Sequence, residues 1–254
     1  MLIRAAELLP RLATPDVVVF DCRHDLLDHA KGAQAYAAGH LPGAHFAPVE
    51  TALSGPKTGR NGRHPLPAPE VFAAFLQRHG VTPATTVVAY DDAGGLYAAR
   101  LWWMTRWIGH ARVALLDGGL PKWIADGHPV TRDIPTAMPA AAPLPLAVRA
   151  GDVVTVDAIL ARLGDPSAAE HDARAAERYR GDTETIDPVA GHIPGALNRF
   201  YKANLNPDLT FRNPAALRAE FSALFAGRDP AQVAHSCGSG STACANLFAM
   251  DYAG

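Results

Sequence analysis

The segment Asp21-Cys22-Arg23, followed by Gly39-His40-Leu41-Pro42-Gly43-Ala44, decides the fold because the same pattern occurs twice in the chain. Asp172-Ala173-Arg174 is followed by Gly191-His192-Ile193-Pro194-Gly195-Ala196, in the same order and at nearly the same separation. Self-similarity of this kind is typical of a repeated structural unit. We therefore predict that the 254 residues contain two copies of one domain.

Each copy has the pattern of an α/β domain. Short β-branched runs such as Val17 to Phe20 and Thr86 to Tyr90 are typical of buried parallel strands. Apolar residues at helical spacing cover Leu8 to Leu12, Pro69 to His79 and Ala98 to Ile108. Strands that alternate with helices predict a mostly parallel sheet flanked by helices in each domain.

The two copies are separated by a segment without charge or periodicity. Residues 135–145 are rich in Ala and Pro, which favours an extended linker. We predict a first domain over residues 1–134, a linker over 135–150 and a second domain over 151–254.

A second alignment of the two copies compares a helical segment and the loop that precedes it. When Met104 is set against Met250, Asp91 falls opposite Cys237 and Gly94 falls opposite Gly240. The first copy then continues through a strand and a closing helix or turn that have no counterpart in the second copy. The second domain is therefore expected to be shortened at its C-terminus.

Composition limits the class of protein. The chain is 48% hydrophobic and 19% charged, which is typical of a globular protein. A net charge of −2 gives no electrostatic footprint for nucleic acid or an anionic membrane, and no apolar run is long enough to span a bilayer. Three cysteines fit neither a disulfide framework nor a zinc site. We expect a cytoplasmic monomer with reduced thiols and no metal.

The loop that begins at Cys237 has the features of a nucleophile site. A short strand over 232–236 leads into Cys237-Gly-Ser-Gly-Ser-Thr242, and a helical pattern over 243–250 follows. Glycines allow the backbone amides to point inward, and these amides together with a helix N-terminus stabilise a thiolate. The same amides would hold a persulfide or an anionic substrate. Cys22 and Cys244 lack such a loop.

Two alternatives apply to Cys237. It could be a buried core cysteine, the common environment of a free thiol. It could also belong to a phosphatase loop, but that chemistry needs an arginine six residues later, and this chain has Ala243 there. The glycine-rich loop favours sulfur chemistry over both.

The loop Cys237-Gly-Ser-Gly-Ser-Thr-Ala-Cys244 resembles the Cys-Gly-Ser-Gly-Val-Thr-Ala-Cys loop of 3-mercaptopyruvate sulfurtransferases, with Ser241 in place of Val. Other motifs are similar to those of tandem-domain rhodanese enzymes: the two His-Leu/Ile-Pro-Gly-Ala segments, Lys57–Pro67, Trp102–Met104, Leu116–Gly119, Arg178–Gly181 and Ile186–His192.

The resemblance implies two rhodanese-like domains with the active site at their interface and an inactive first copy, in which Asp91 occupies the nucleophile position. Cys237 would take a sulfur atom from a small-molecule donor as a persulfide and pass it to a thiol, thioredoxin or cyanide, without a separate cofactor. The implied donor is 3-mercaptopyruvate. The alternatives are a thiosulfate:cyanide sulfurtransferase and a non-catalytic persulfide carrier.

The resemblance also implies site residues. Ser239, His64 and Glu50 correspond to a Ser–His–Asp proton relay, with Glu in place of Asp, and Arg178 corresponds to an arginine that binds the substrate carboxylate. The loop residues implied to bind substrate are Gly238, Gly240, Ser241 and Thr242. From the sequence alone, His64 could equally be a loop histidine, Glu50 a surface carboxylate and Arg178 an exposed helix residue. A second substrate-binding arginine has no match in residues 182–189.

Overall fold

The computed structural model describes residues 1–136, 138–140, 142–165 and 169–254. Its strands are β1 (Leu2–Ile3), β2 (Val17–Asp21), β3 (His45–Phe46), β4 (Thr86–Tyr90), β5 (Val113–Leu116), β6 (Ala169–Asp172), β7 (Leu197–Asn198) and β8 (Val233–Ser236). Its α-helices are α1 (Ala5–Leu8), α2 (Ala30–Ala38), α3 (Pro69–Arg78), α4 (Ala98–Trp107), α5 (Gly119–Ala125), α6 (Val156–Ala161), α7 (Ala176–Arg180), α8 (Pro214–Phe225) and α9 (Ser241–Ala253).

The strands form two separate parallel sheets, which confirms the predicted α/β fold. The first sheet has the order β1-β5-β4-β2-β3, and the second has the order β7-β6-β8. The repeat is visible in the register. Asp21 pairs with Phe46 and Tyr90, and the equivalent Asp172 pairs with Asn198 and Ser236.

The second sheet is smaller than the first within the described residues. Its three strands correspond to β3, β2 and β4, so β8 lies at an edge where β4 has β5 as a neighbour. Among the described residues, no helix combines the length and the apolar character needed to cross a membrane.

The segment between the sheets runs along the first half of the molecule. Its residues 137 and 141 lie outside the described residues, and the described part of 132–149 contains no helix or strand. The Ala140 amide donates to Gln77 at the end of α3, and the Ala147 and Arg149 amides donate to Ile108 and Trp107 at the end of α4. The described part of this segment is therefore bound to the ends of α3 and α4.

One predicted helix is shorter in the structure. The sequence pattern placed a helix over Leu8 to Leu12, whereas α1 ends at Leu8 and a 3₁₀ turn covers Leu9–Arg11. Pro10 has no amide hydrogen to continue the helical ladder, which accounts for the change.

The two halves share one apolar core. Helices α4 and α9 pack against each other, with Trp102 and Phe248 edge to face at 5.0 Å between ring centroids. The core cluster around them includes residues of both sheets. An ion pair between Arg106 and Asp251, at 2.5 Å, closes the exposed side of this contact. The equivalent helices of the repeat therefore form the interface between its two copies.

The repeated Asp-X-Arg segments have the same structural role in both copies. Arg23 binds the Asp21 carboxylate and donates to the Gly39 carbonyl at 2.7 Å. Its counterpart Arg174 binds Asp172 and donates to Gly191, also at 2.7 Å. Each arginine thus ties the end of a central strand to the start of the Pro-Gly turn.

The loop of the first copy encloses a carboxylate. Asp91 follows β4, and its oxygens accept four backbone amides, from Ala93, Gly95, Tyr97 and Ala98, at 2.7–2.9 Å. The side chain is buried. This loop is therefore an anion-binding ring whose anion is part of the chain.

We expect Asp91→Ala to destabilise the fold by about 3 kcal/mol or more, because it leaves buried amides without an acceptor. Urea unfolding followed by circular dichroism measures this change. Asp92→Ala is the matched control, since Asp92 is exposed. Equal stabilities of the two variants would contradict the role given to Asp91.

Two buried histidines lie side by side in the second sheet. His171 on β6 pairs in register with His235 on β8, and the ring centroids are 5.3 Å apart. None of their four ring nitrogens has a hydrogen-bond partner among the described residues. Burial lowers the pKa of His171 to about 4 and that of His235 to about 3.

These shifts predict acid sensitivity of the second half. Below pH 6.5 the two histidines bind protons in the unfolded chain but stay neutral in the folded chain. Their contribution to the free energy of unfolding is therefore fully present above pH 6.5 and is lost as the pH decreases toward 4. Each histidine contributes up to about 1.4 kcal/mol per pH unit. Urea unfolding at pH 7.5, 6 and 5 should show a shallower loss in His171→Leu/His235→Leu than in the parent. Parallel curves for the two proteins would refute this.

Candidate active site

Cys237 lies directly after β8, at the start of the loop that leads into α9. Its sulfur accepts the amide of Gly240 at 3.0 Å and that of Ser239 at 3.4 Å. Gly240 has a φ of 81°, a left-handed conformation that glycine adopts without strain and that turns its amide inward. Asp91 and Cys237 therefore occupy equivalent positions in equivalent loops, as the sequence alignment predicted.

The other two cysteines are buried. Burial raises the pKa of Cys22 well above its usual value and raises that of Cys244 to about 12. Cys244 also donates its thiol hydrogen to the Gly240 carbonyl at 3.1 Å. Since the thiolate is the nucleophile, Cys237 is the cysteine available for chemistry.

Arg100 connects the two halves underneath the Cys237 loop. Its buried guanidinium donates to the carbonyls of Leu53 (2.9 Å), His64 (2.7 Å) and Ser239 (3.3 Å). Its hydrogen-bond partners among the described residues are carbonyl oxygens, not carboxylates. Its positive charge is therefore not neutralised by a carboxylate among the described residues. The guanidinium interacts electrostatically with the sulfur atoms of Cys244 and Cys237.

His64 and Glu50 form a pair next to the Arg100 guanidinium, with the His64 side chain 2% exposed and that of Glu50 20% exposed. His64 Nε2 lies 2.5 Å from Glu50 Oε1, so the longer Glu side chain reaches the histidine. Burial lowers the pKa of His64 despite the nearby carboxylate. Burial alone would raise the pKa of Glu50, but hydrogen bonds from Lys57 and His64 lower it to about 2. The imidazole is thus held by a carboxylate that stays ionised.

Ser239 is linked to His64 through Arg100 rather than directly. Among the described residues, the hydrogen bonds of Ser239 are those of its backbone, to Cys237 and from Arg100. No hydrogen bond joins its hydroxyl to His64. The Arg100 guanidinium thus joins the backbones of Ser239 and His64, Glu50 contacts the His64 ring, and the predicted relay is not closed.

A cavity of about 200 Å³ opens over Cys237. Its lining comes from both halves of the chain and includes residues of both the apolar and the charged kind. These are Leu26, Arg63, Leu96, Tyr97, Arg174, Ala175, Arg178, Phe200, Tyr201, Cys237, Gly238, Ser239, Ser241 and Thr242. The volume suits a small organic acid.

Two arginines share one carboxylate at the edge of this cavity. Arg178 donates to Asp187 at 2.9 Å and also binds Glu184. Arg63, from the other half, donates to the same Asp187 at 2.7 Å. The sequence motifs single out Arg178 but not Arg63. Arg63 lies 124 positions before Asp187, and the sequence does not show that the two residues meet. The signal was present in the Lys57–Pro67 motif, one residue before His64.

Two further loop residues have defined surroundings. A side chain at Gly238 would meet Arg63 Nη2 at 2.3 Å and Asp187 Oδ2 at 2.7 Å, so a larger residue here would displace the ends of these two side chains. Ser241 lines the cavity, and its buried hydroxyl has no hydrogen-bond partner among the described residues. That hydroxyl is available to a bound anion.

Comparison with known proteins gives consistent matches. The family model described as Rhodanese-like domain matches residues 4–126. A probable 3-mercaptopyruvate sulfurtransferase of Pseudomonas aeruginosa is 46% identical over 100% of this chain and 89% of its own. A thiosulfate sulfurtransferase of the same organism is 35% identical over 84% of this chain and 73% of its own.

A solved structure extends the likeness to the fold. SseA from Escherichia coli, described as having the "Rhodanese" fold of 3-mercaptopyruvate sulfotransferases, is 31% identical with a TM-score of 0.83. The match covers 99% of this chain and 94% of that one. Together with the nucleophile loop at Cys237, these matches show that the chain belongs to the rhodanese family of sulfurtransferases.

Proposed function

We propose that this sulfurtransferase takes its sulfur from 3-mercaptopyruvate, carries it as a persulfide on Cys237 and passes it to a small thiol, thioredoxin or cyanide. The observation that carries the proposal is the partly buried His64–Glu50 pair beside the Cys237 loop, because a donor with a thiol proton needs such a pair and a donor without one does not. The names of the Pseudomonas aeruginosa and Escherichia coli relatives support the same donor.

The proposed first step is a displacement at sulfur. The Cys237 thiolate attacks the thiol sulfur of 3-mercaptopyruvate, the S–S bond forms and the carbon–sulfur bond breaks. The electron pair of the broken bond goes to the methylene carbon, and the thiol proton is transferred there to give pyruvate. Atoms and charge balance without an oxidant, and the persulfide anion keeps the amide bonds of Ser239 and Gly240.

The acid–base groups have separate tasks in this step. Ser239 lines the cavity, and we assign its hydroxyl to passing the donor's thiol proton to His64, which returns a proton to the methylene carbon. Glu50 holds the His64 ring and stabilises the imidazolium. Closing the relay requires the Ser239 hydroxyl to turn toward His64 when the donor is bound.

The donor's carboxylate is assigned to the arginine pair. Arg63 and Arg178 both line the cavity and offer guanidinium hydrogens suited to a carboxylate. Asp187 already binds both groups, so the substrate competes with an internal carboxylate. The second step is attack on the persulfide by an acceptor thiol, which regenerates the Cys237 thiolate; we place it in the cytoplasm, where thiols stay reduced.

The second candidate is thiosulfate sulfur transfer. It is favoured by the 35% identical thiosulfate sulfurtransferase, but that donor carries no proton and leaves the His64–Glu50 pair unused. A third candidate, a non-catalytic persulfide carrier, predicts persulfide formation without turnover.

Single-turnover persulfide formation, followed by intact mass, distinguishes these candidates. We expect 3-mercaptopyruvate to add one sulfur atom to the protein but not to Cys237→Ser. His64→Asn should slow this reaction by about 100-fold, the size of a lost acid–base contribution. The rate with thiosulfate should change little, since no proton is moved.

The opposite outcomes reassign the protein. A gain of sulfur from thiosulfate alone would establish the second candidate. Persulfide formation that no thiol or cyanide can discharge would establish the carrier. An equal effect of His64→Asn on both donors would show that His64 supports the loop rather than the proton transfer.

Asp187→Asn tests the arginine assignment. Removing the Asp187 charge, which both guanidinium groups contact, should lower KM for 3-mercaptopyruvate roughly tenfold, equivalent to about 1.4 kcal/mol, with kcat unchanged. Steady-state kinetics measure this, with Asp182→Asn as control because exposed Asp182 pairs with Arg180 instead. A raised KM would mean that Asp187 orients the arginines rather than competes for them.

A further inference from the structure

A second cluster of polar side chains lies behind the wall of the active-site cavity. His24 Nε2 is 3.7 Å and His29 Nε2 is 3.6 Å from the same oxygen, Glu50 Oε1. The three potential ligand atoms lie within 4.8 Å of one another. The His24 ring stands edge-on to Tyr97, which lines the cavity, at 5.1 Å between centroids.

The spacing of these atoms matches a metal site. A tetrahedral ion with nitrogen and oxygen ligands at about 2.0–2.1 Å places neighbouring ligand atoms about 3.4 Å apart. The two histidine-to-carboxylate distances are close to this value. Small rotations of exposed His29 would bring the third distance into range.

An unpartnered nitrogen points to the same conclusion. The His24 side chain is 4% exposed, and its Nε2 has no hydrogen-bond partner among the described residues. A buried polar atom without a partner is costly, and a bound cation would satisfy it. His29 is 52% exposed, so one side of the cluster is open to solvent and to an incoming ion.

The neighbouring charges leave one carboxylate oxygen for the ion. Lys57 binds Glu50 Oε2 at 2.7 Å, while Oε1 faces the histidines. His64 Nε2 also contacts Oε1, at 2.5 Å. The metal ligands and the proposed relay therefore share one atom.

We propose that His24, His29 and Glu50 bind a divalent transition-metal ion, and that the bound ion inhibits the transfer of sulfur from 3-mercaptopyruvate by taking Glu50 Oε1 from His64. Two imidazoles and one carboxylate suit Zn²⁺, Ni²⁺ or Cu²⁺ rather than Mg²⁺ or Ca²⁺. The binding part stands by itself, whereas the inhibition rests on the proposed function.

Calorimetric titration with Zn²⁺ tests the site. Cys237→Ser is used as the background so that the catalytic thiolate cannot bind the metal. We expect one Zn²⁺ per chain with micromolar affinity, and a loss of roughly 100-fold in His24→Gln/His29→Gln. His128→Gln/His192→Gln is the matched control, since these histidines lie outside the cluster. Equal affinity in the two double variants, or no binding of Zn²⁺, would overturn the proposal.

A second measurement tests the coupling to catalysis in the chain with Cys237 intact. Zn²⁺ should slow persulfide formation from 3-mercaptopyruvate but not from thiosulfate, and His29→Gln should remove this effect when its rate with Zn²⁺ is compared with its own rate without metal. Equal inhibition of both donors, or inhibition that persists in His29→Gln, would overturn the coupling. If 3-mercaptopyruvate is no donor at all, the proposed function fails while the calorimetry still decides the metal site.

Discussion

The buried guanidinium of Arg100 is the interaction on which the active site depends. It lies on α4 of the first half and donates to two carbonyls of the segment between β3 and α3 and to one carbonyl of the Cys237 loop. Burying a cation without a carboxylate is costly, and several carbonyl acceptors offset the lost hydration. That arrangement fixes where the Cys237 loop stands relative to His64. A site assembled from two halves needs such a contact, because packing of apolar helices alone does not set loop positions to within a hydrogen-bond length.

The division of labour between the copies follows from this arrangement. The second copy supplies the thiol, its amide ring and Arg178, whereas the first supplies His64, Glu50 and Arg63. The first copy thus has Asp91 where the second has Cys237, and it still contributes side chains to the candidate site. The segment before α3 in the first copy contributes His64, Glu50 and Arg63, and the second copy does not supply these groups itself.

Local patterns made much of this predictable from the sequence. The strands Val17–Asp21 and Thr86–Tyr90 follow from β-branched runs, which are local patterns, and the alignment of Asp91 with Cys237 follows from the repeat. The contact between Arg63 and Asp187 joins residues 124 positions apart, and it depends on how the two halves pack. The Arg100 clamp is hidden for the same reason, because an arginine in an amphipathic helix usually faces solvent. The contact between Glu50 and His64 likewise could not be read from the sequence, because it depends on the additional length that one methylene group gives the Glu side chain.

Asp91 in its ring of amides has a consequence for the role of a duplicated domain. A ring of inward-pointing amides needs an acceptor, because a buried donor without one is costly, and Asp91 supplies that acceptor from within the chain. The loop of the first copy is therefore complete without a ligand. A duplicated domain of this kind can serve as a fixed support, from which side chains such as His64 and Arg63 reach the neighbouring copy.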